Sequence, residues 1–166
     1  MSSSLDKKNK KKRVVIFDID GTLSDASKRL HHLHPTEPGQ KKNWKAFFDG
    51  IKDDAPIPHI IALNNMYWDS GYTVVLLTGR PTNLRVDTLE WLIKHGVKTE
   101  ALLMRLTNDR GKDSDVKPRV LLEWLQDNDF TLDDVEAIYE DRVHVAEAFR
   151  ELGLNVLLVG AEWEPS

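Results

Sequence analysis

Two aspartates, Asp18 and Asp20, follow the apolar run Val14-Val15-Ile16-Phe17 and precede Gly21-Thr22. In extended backbone, side chains at i and i+2 point the same way, so this spacing brings two carboxylates to one side of the chain. Such a pair repels unless a cation sits between its members or one of them holds a proton. Both solutions suit phosphate chemistry. A hard divalent cation takes oxygen ligands, and Mg²⁺ uses one or two carboxylates together with phosphate oxygens. A carboxylate is also already ionised at neutral pH, so it can attack phosphorus without a base. Alone, Asp-x-Asp is a common loop cap; its place between an apolar run and Gly-Thr gives it chemical meaning. Gly21 permits a turn that a side chain would forbid, Thr22 can cap a following helix, and N–H groups released by the turn can face a phosphate.

Three more polar groups follow apolar runs. Thr78-Gly79-Arg80 offers a hydroxyl, an open backbone amide and a guanidinium, which together suit phosphate oxygens. Arg105 closes the run Ala101–Met104, and Lys117 lies near the start of a helical pattern where anions are favoured; Lys112 competes with it. Glu140-Asp141-Arg142 follows Val135–Tyr139, and an acidic pair there can complete an oxygen cage for a metal.

The elements that must position these groups alternate in kind. Short β-branched or apolar runs at 13–17, 73–77, 101–104, 135–139 and 155–159 read as buried strands. Helical spacing is found at 59–69, 85–95, 115–124 and 143–152, with Gly96 and Gly153 as C-terminal stops. The alternation predicts a three-layer α/β, Rossmann-like fold with a mainly parallel five-stranded sheet. Ligands in such sheets bind beyond the carboxyl ends of the strands, where Asp18, Thr78, Arg105 and Asp141 fall. The stretch between Leu23 and Pro58 carries no strand signal and is long for a plain loop. It is expected to form a small helical cap insertion at about residues 25–57, packed over the site, with Trp44, Phe47 and Phe48 on a short helix. Residues 1–12 read as a flexible basic tail and residues 13–166 as one domain.

Bulk properties narrow the function. The chain has 166 residues, 40% apolar and 30% charged, enough for one domain with a real core. A net charge of −4 argues against generic polyanion binding, so any nucleic-acid contact must come from a local basic patch. The absence of cysteine excludes disulfides, thiolate metal sites and cysteine nucleophiles. There is no apolar run of membrane-spanning length and no apolar signal-peptide core, so no membrane contact and a cytoplasmic location are expected.

Acid pair, hydroxyl, lysine and acid pair, in that order, resemble the four motifs of the haloacid dehalogenase-like (HAD) phosphatase superfamily. Asp18-Ile19-Asp20-Gly21-Thr22 is similar to the first motif, Thr78 to the second, Lys117 to the third and Glu140-Asp141 to the fourth. A narrower resemblance, to the phosphatase domain of phage polynucleotide kinase-phosphatases, rests on two segments. One is Leu-Leu-Met-Arg followed by Asp109-Arg110 and Lys-Asp-Ser-Asp-Val-Lys, and the other is Ile-Tyr-Glu-Asp-Arg-Val-His-Val-Ala-Glu-Ala-Phe-Arg. The chain departs from that pattern in having Glu140 where related domains usually carry Asp, and it lacks a Walker loop.

The resemblance implies a Mg²⁺-dependent phosphomonoesterase whose substrate is a phosphorylated nucleotide or nucleic-acid 3′ end. Asp18 is then the nucleophile, Asp20 the general acid-base, and Thr78 and Lys117 complete the catalytic set. Gly79, Arg80 and Arg105 bind substrate; Asp18, Asp20 (through its backbone carbonyl) and Asp141 bind the metal; Glu140 and Arg142 support them. No protein partner is identifiable from sequence. Two other readings stay open: a small-molecule deoxynucleotide monophosphatase, and a phospho-accepting receiver-like signalling domain, although a receiver has its lysine after the last acid. His31, His32 and His34 lack a partner carboxylate pattern for zinc. Trp91, Trp124 and Phe149 read as core, whereas Trp44, Phe47 and Phe48 are candidates for a base or sugar contact.

Overall fold

The structure, a computed structural model, describes residues 13–160, so the expected basic tail at 1–12 lies outside the described residues. The chain runs through β1 (Val14–Phe17), β2 (Ser24–Asp25), a 3₁₀ segment (Ser27–Leu33), α1 (Trp44–Asp49), a 3₁₀ turn (Ile51–Asp53), β3 (Ala55–Pro56) and α2 (Pro58–Asp69). It continues with β4 (Thr73–Pro81), α3 (Arg85–Lys94), β5 (Ala101–Arg105), α4 (Asp113–Asp127), β6 (Val135–Glu140), α5 (Val143–Glu151) and β7 (Val156–Leu158).

Five strands form one parallel sheet in the order β5-β4-β1-β6-β7. β1 is central, and all four of its residues are fully buried. Its unbroken apolar run is the mark of a strand covered on both faces. Val15 and Phe17 pack with Ile60, Ile61, Trp91 and Leu92 of α2 and α3, whereas Val14 and Ile16 pack with Leu121, Leu125 and Phe149 of α4 and α5. The period of two along β1 thus builds both halves of the core. The chain leaves β1 toward β4 and β5, then returns to β6 on the other side. That reversal opens a crevice at the carboxyl end of β1, which is where ligands bind in this class of sheet.

Three local features differ from the expectation. β4 extends through Thr78-Gly79-Arg80 to Pro81, with an irregularity in its pairing to β5 between Thr78 and Pro81. α4 begins at Asp113, earlier than its apolar pattern, because Asp113 and Asp115 in the first turn complement the helix dipole without adding apolar periodicity. The stretch read as strandless carries β2 and β3, an antiparallel pair of two residues each. Strands that short contain a single alternation and leave no periodic signal. They tie the two ends of the intervening segment together directly beside Asp20.

Candidate active site

β1 ends at Phe17 and delivers Asp18 to the crevice, with the Asp18 N–H still bonded to the Tyr139 carbonyl of β6 at 2.9 Å. A tight turn follows. Thr22, Leu23 and Ser24 all donate N–H bonds to the Ile19 carbonyl, at 3.1, 2.9 and 3.0 Å. Gly21 supplies the positive φ of 84° that this turn requires. No α-helix starts here, which corrects the expected capping role of Thr22. Its buried hydroxyl donates instead to the Asp18 carboxylate at 3.3 Å.

Opposite Asp18 stands Lys117, on the second turn of α4. Its ammonium lies 2.7 Å from Asp18 Oδ1 and 2.8 Å from Glu140 Oε2, and all three side chains are buried. Lys112, the competing lysine, sits at the N-cap of α4 on the cleft wall and makes no such contact. Burial and the neighbouring Glu140 push the Asp18 carboxyl up to about 7, although Lys117 opposes them. Burial works against the charge of Lys117, but Asp18 and Glu140 outweigh it and raise its pKa. Glu140 is held by N–H groups of Asp141 and Arg142, each 3.2 Å from Oε1.

Asp18, Glu140 and Asp141 each offer a carboxylate oxygen, and these atoms lie within 4.8 Å of one another. Lys117 pairs with Asp18 and Glu140, and Asp141 adds a third carboxylate beside them. An all-oxygen donor set of this kind fits a hard divalent cation such as Mg²⁺.

Asp20 behaves differently from its neighbour. Its carboxylate turns to Arg80, with Nε at 3.0 Å and Nη2 at 2.6 Å, and to Arg29 Nη2 at 2.8 Å. Burial alone would raise its pKa, but the two guanidiniums win and hold it well below the usual carboxylate range. The two carboxylates expected to share a cation therefore have separate counter-charges, guanidinium for Asp20 and ammonium for Asp18. Arg80, expected to grip phosphate, is fully engaged: it is buried, braces Asp20 and donates to Thr88 Oγ1 at 3.2 Å. Thr78 is buried beneath it and accepts the Arg80 N–H at 3.2 Å.

Gly79 explains itself through Asp113. A Cβ at Gly79 would stand 2.6 and 2.8 Å from the two Asp113 carboxylate oxygens, so only glycine lets that side chain approach. Asp113 in turn bridges Arg105 and Arg142, the latter at 2.7 Å. Arg105 also donates to the Asp109 and Gly111 carbonyls at 3.2 and 2.9 Å, fastening the loop between β5 and α4.

Asp18, Asp20, Gly79, Arg80, Arg105, Lys117 and Arg142 all line one cleft; Thr78, Glu140 and Asp141 are buried next to lining residues in the chain. Three further participants, Arg29, Asp54 and Asp113, take their meaning from the fold. Arg29, from the 3₁₀ segment, makes a bidentate pair with Asp54 at 2.7 and 2.6 Å while also holding Asp20. Neither Arg29 nor Asp54 carries any local pattern; only the pairing of β2 with β3 brings them together. Asp113 was readable as an ordinary dipole-complementing acid, and the one available signal was the glycine at position 79.

A family model described as the polynucleotide kinase PNKP phosphatase domain matches residues 12–162. A chain of the Pnkp1/Rnl/Hen1 complex superposes with a TM-score of 0.70 at 30% identity, over 91% of this chain and 47% of that one. A chain from the Pnkp1/Rnl/Hen1 RNA repair complex gives 0.70 at 31% identity, over 89% of this chain and 42% of the other. The present chain thus spans less than half the length of both. The haloacid dehalogenase-like hydrolase SP0104 from Streptococcus pneumoniae shares the fold, with a TM-score of 0.66 at 18% identity over 89% of this chain and 84% of that one.

Proposed function

This chain belongs to the family of the polynucleotide kinase PNKP phosphatase domain, a branch of the HAD-like phosphatases, and from that membership we propose that it is a Mg²⁺-dependent phosphomonoesterase that removes 3′-phosphates from nucleic-acid ends or nucleotides through an aspartyl-phosphate on Asp18. RNA ends are included, because one similar chain belongs to an RNA repair complex. The observation that carries the reading is the Lys117 ammonium, buried between Asp18 and Glu140 in the cleft.

The residues divide the work as follows. Asp18 attacks phosphorus; a carboxylate–phosphorus bond forms and the bond to the leaving 3′ oxygen breaks. Lys117 holds Asp18 in place and offers positive charge to the transferring group. Asp18 and Asp141, with Glu140 alongside, would hold Mg²⁺, which when bound supplies charge against the phosphate oxygens. Thr78 and the Gly79 amide face phosphate oxygens. Asp20, kept ionised by Arg80 and Arg29, is in the form that takes a proton from the water attacking the phospho-enzyme. Its role as acid toward the leaving oxygen requires that this double clamp loosen.

A substrate panel tests the reading. Under Mg²⁺, 3′-phosphorylated oligonucleotides should be hydrolysed faster than 5′-mononucleotides and sugar phosphates, and EDTA should stop turnover until Mg²⁺ is restored. Equal or better hydrolysis of 5′-mononucleotides would instead identify a small-molecule nucleotidase.

A further inference from the structure

One wall of the cleft carries a feature that hydrolysis itself does not use. α1 presents Phe47 inward, buried, with the Arg29 guanidinium 4.3 Å from its ring centroid. Trp44, the first residue of the same helix, is 48% exposed and lines the cleft. Its ring stacks on Phe48 at 27° with centroids 5.9 Å apart, and it meets Phe47 edge-on at the same distance. Asn43 caps the helix by accepting the Ala46 N–H at 3.0 Å, which fixes where Trp44 stands. The Lys42 ammonium lies 5.8 Å from the Trp44 centroid. An indole backed by a second ring and still half in water offers exposed aromatic surface at little conformational cost.

The same cleft supplies charge. Arg110 and Lys112 line the cleft, and neither makes an ion pair among the described residues. A mononucleotide whose single phosphate sits at Asp18 has no second anion for them or for Lys42. A polynucleotide brings one phosphate per nucleotide, and each unpaired base has a face to stack.

We propose that Trp44 is the stacking platform for the terminal nucleobase of an unpaired, 3′-phosphorylated strand end, with Lys42, Arg110 and Lys112 taking the internucleotide phosphates behind it. This rests on the 3′-phosphatase reading and names the part of the substrate that the cleft recognises.

The test compares the wild type, Trp44→Ala and Trp44→Phe. Each is assayed on a 3′-phosphorylated single-stranded oligonucleotide and on the same strand lacking its terminal base. In the wild type, loss of the base should raise KM roughly tenfold, the size of one base–aromatic stack. Trp44→Ala should give the two substrates the same KM, and Trp44→Phe should restore most of the difference. Should Trp44→Ala not fold, the wild-type comparison and Trp44→Phe still decide. Equal KM values in the wild type, or undiminished discrimination in Trp44→Ala, would overturn the platform. Failure of the underlying reading has another signature: a wild type that cleaves small phosphomonoesters but neither oligonucleotide, an outcome that overturns the platform as well.

Discussion

Lys117 touches Asp18 and Glu140 at once, so its removal leaves two buried carboxylates facing each other without a counter-charge. Breaking a buried pair from one side costs about 3–5 kcal/mol, and Lys117→Met should lose stability on that scale in the absence of metal, measured by denaturant unfolding. Its phosphatase activity should fall by at least about a hundredfold, as for loss of a charge-stabilising donor. The Asp18 carboxyl carries its own prediction. Because it is pushed up to about 7, the folded protein holds a proton over a range where the unfolded chain has released it. Without metal, stability due to this group is therefore lost as pH rises from the usual carboxylate range toward about 7. A metal must displace that proton, so Mg²⁺ affinity measured by calorimetry should strengthen by up to about tenfold per unit from about pH 5 to about pH 7, then level off. A flat profile would contradict a raised Asp18 carboxyl that gives up its proton to the metal. At this scale the sequence was legible where spacing carries geometry: Asp18 and its strand-end partners stood out by type and order. Arg29, Asp54 and Asp113 did not, since their meaning arises only from contacts between distant segments.

Element boundaries explain both what could be read and what could not. β1 announced itself because a strand buried on both faces has no polar interruption, and α2 and α5 did so through their apolar spacing. The pairing of β2 with β3 is too short for any period, yet it sets Ser24, Arg29 and Asp54 beside Asp20. The Thr78-Gly79-Arg80 segment looked like a phosphate grip; in the fold its arginine is an internal brace and its glycine a gap for Asp113. Gly79→Ala tests that gap. The new methyl would meet the Asp113 carboxylate, so Asp113 must shift and release its bridge between Arg105 and Arg142. kcat/KM should drop by at least about tenfold while the melting temperature changes by only a few degrees, the range expected for a shift of about 1 kcal/mol. A large loss of stability with activity retained per folded molecule would place the role of Gly79 in folding instead.

Over the whole molecule, a net charge of −4 coexists with a cleft whose walls carry Lys42, Arg110 and Lys112. Long-range attraction of a polyanion should therefore be weak, and binding should depend on these few local contacts. For an oligonucleotide, log KM should rise with log salt with a slope of about 2, since about three cations each contribute about 0.7 on a single strand. A mononucleotide should show a smaller slope. Among the described residues no helix is long and apolar enough to cross a membrane. The chain matches the chains of the Pnkp1/Rnl/Hen1 complexes over less than half of their length. All these features serve one proposed event, transfer of a phosphoryl group to Asp18, and it can be observed directly. A single turnover of a 3′-phosphorylated oligonucleotide, quenched in acid and digested for peptide mass spectrometry, should show one phosphoryl group on Asp18, absent from Asp18→Asn, which should be folded but inactive. Phosphate release by Asp18→Asn at the wild-type rate, or a phosphoryl group on another residue, would contradict the account.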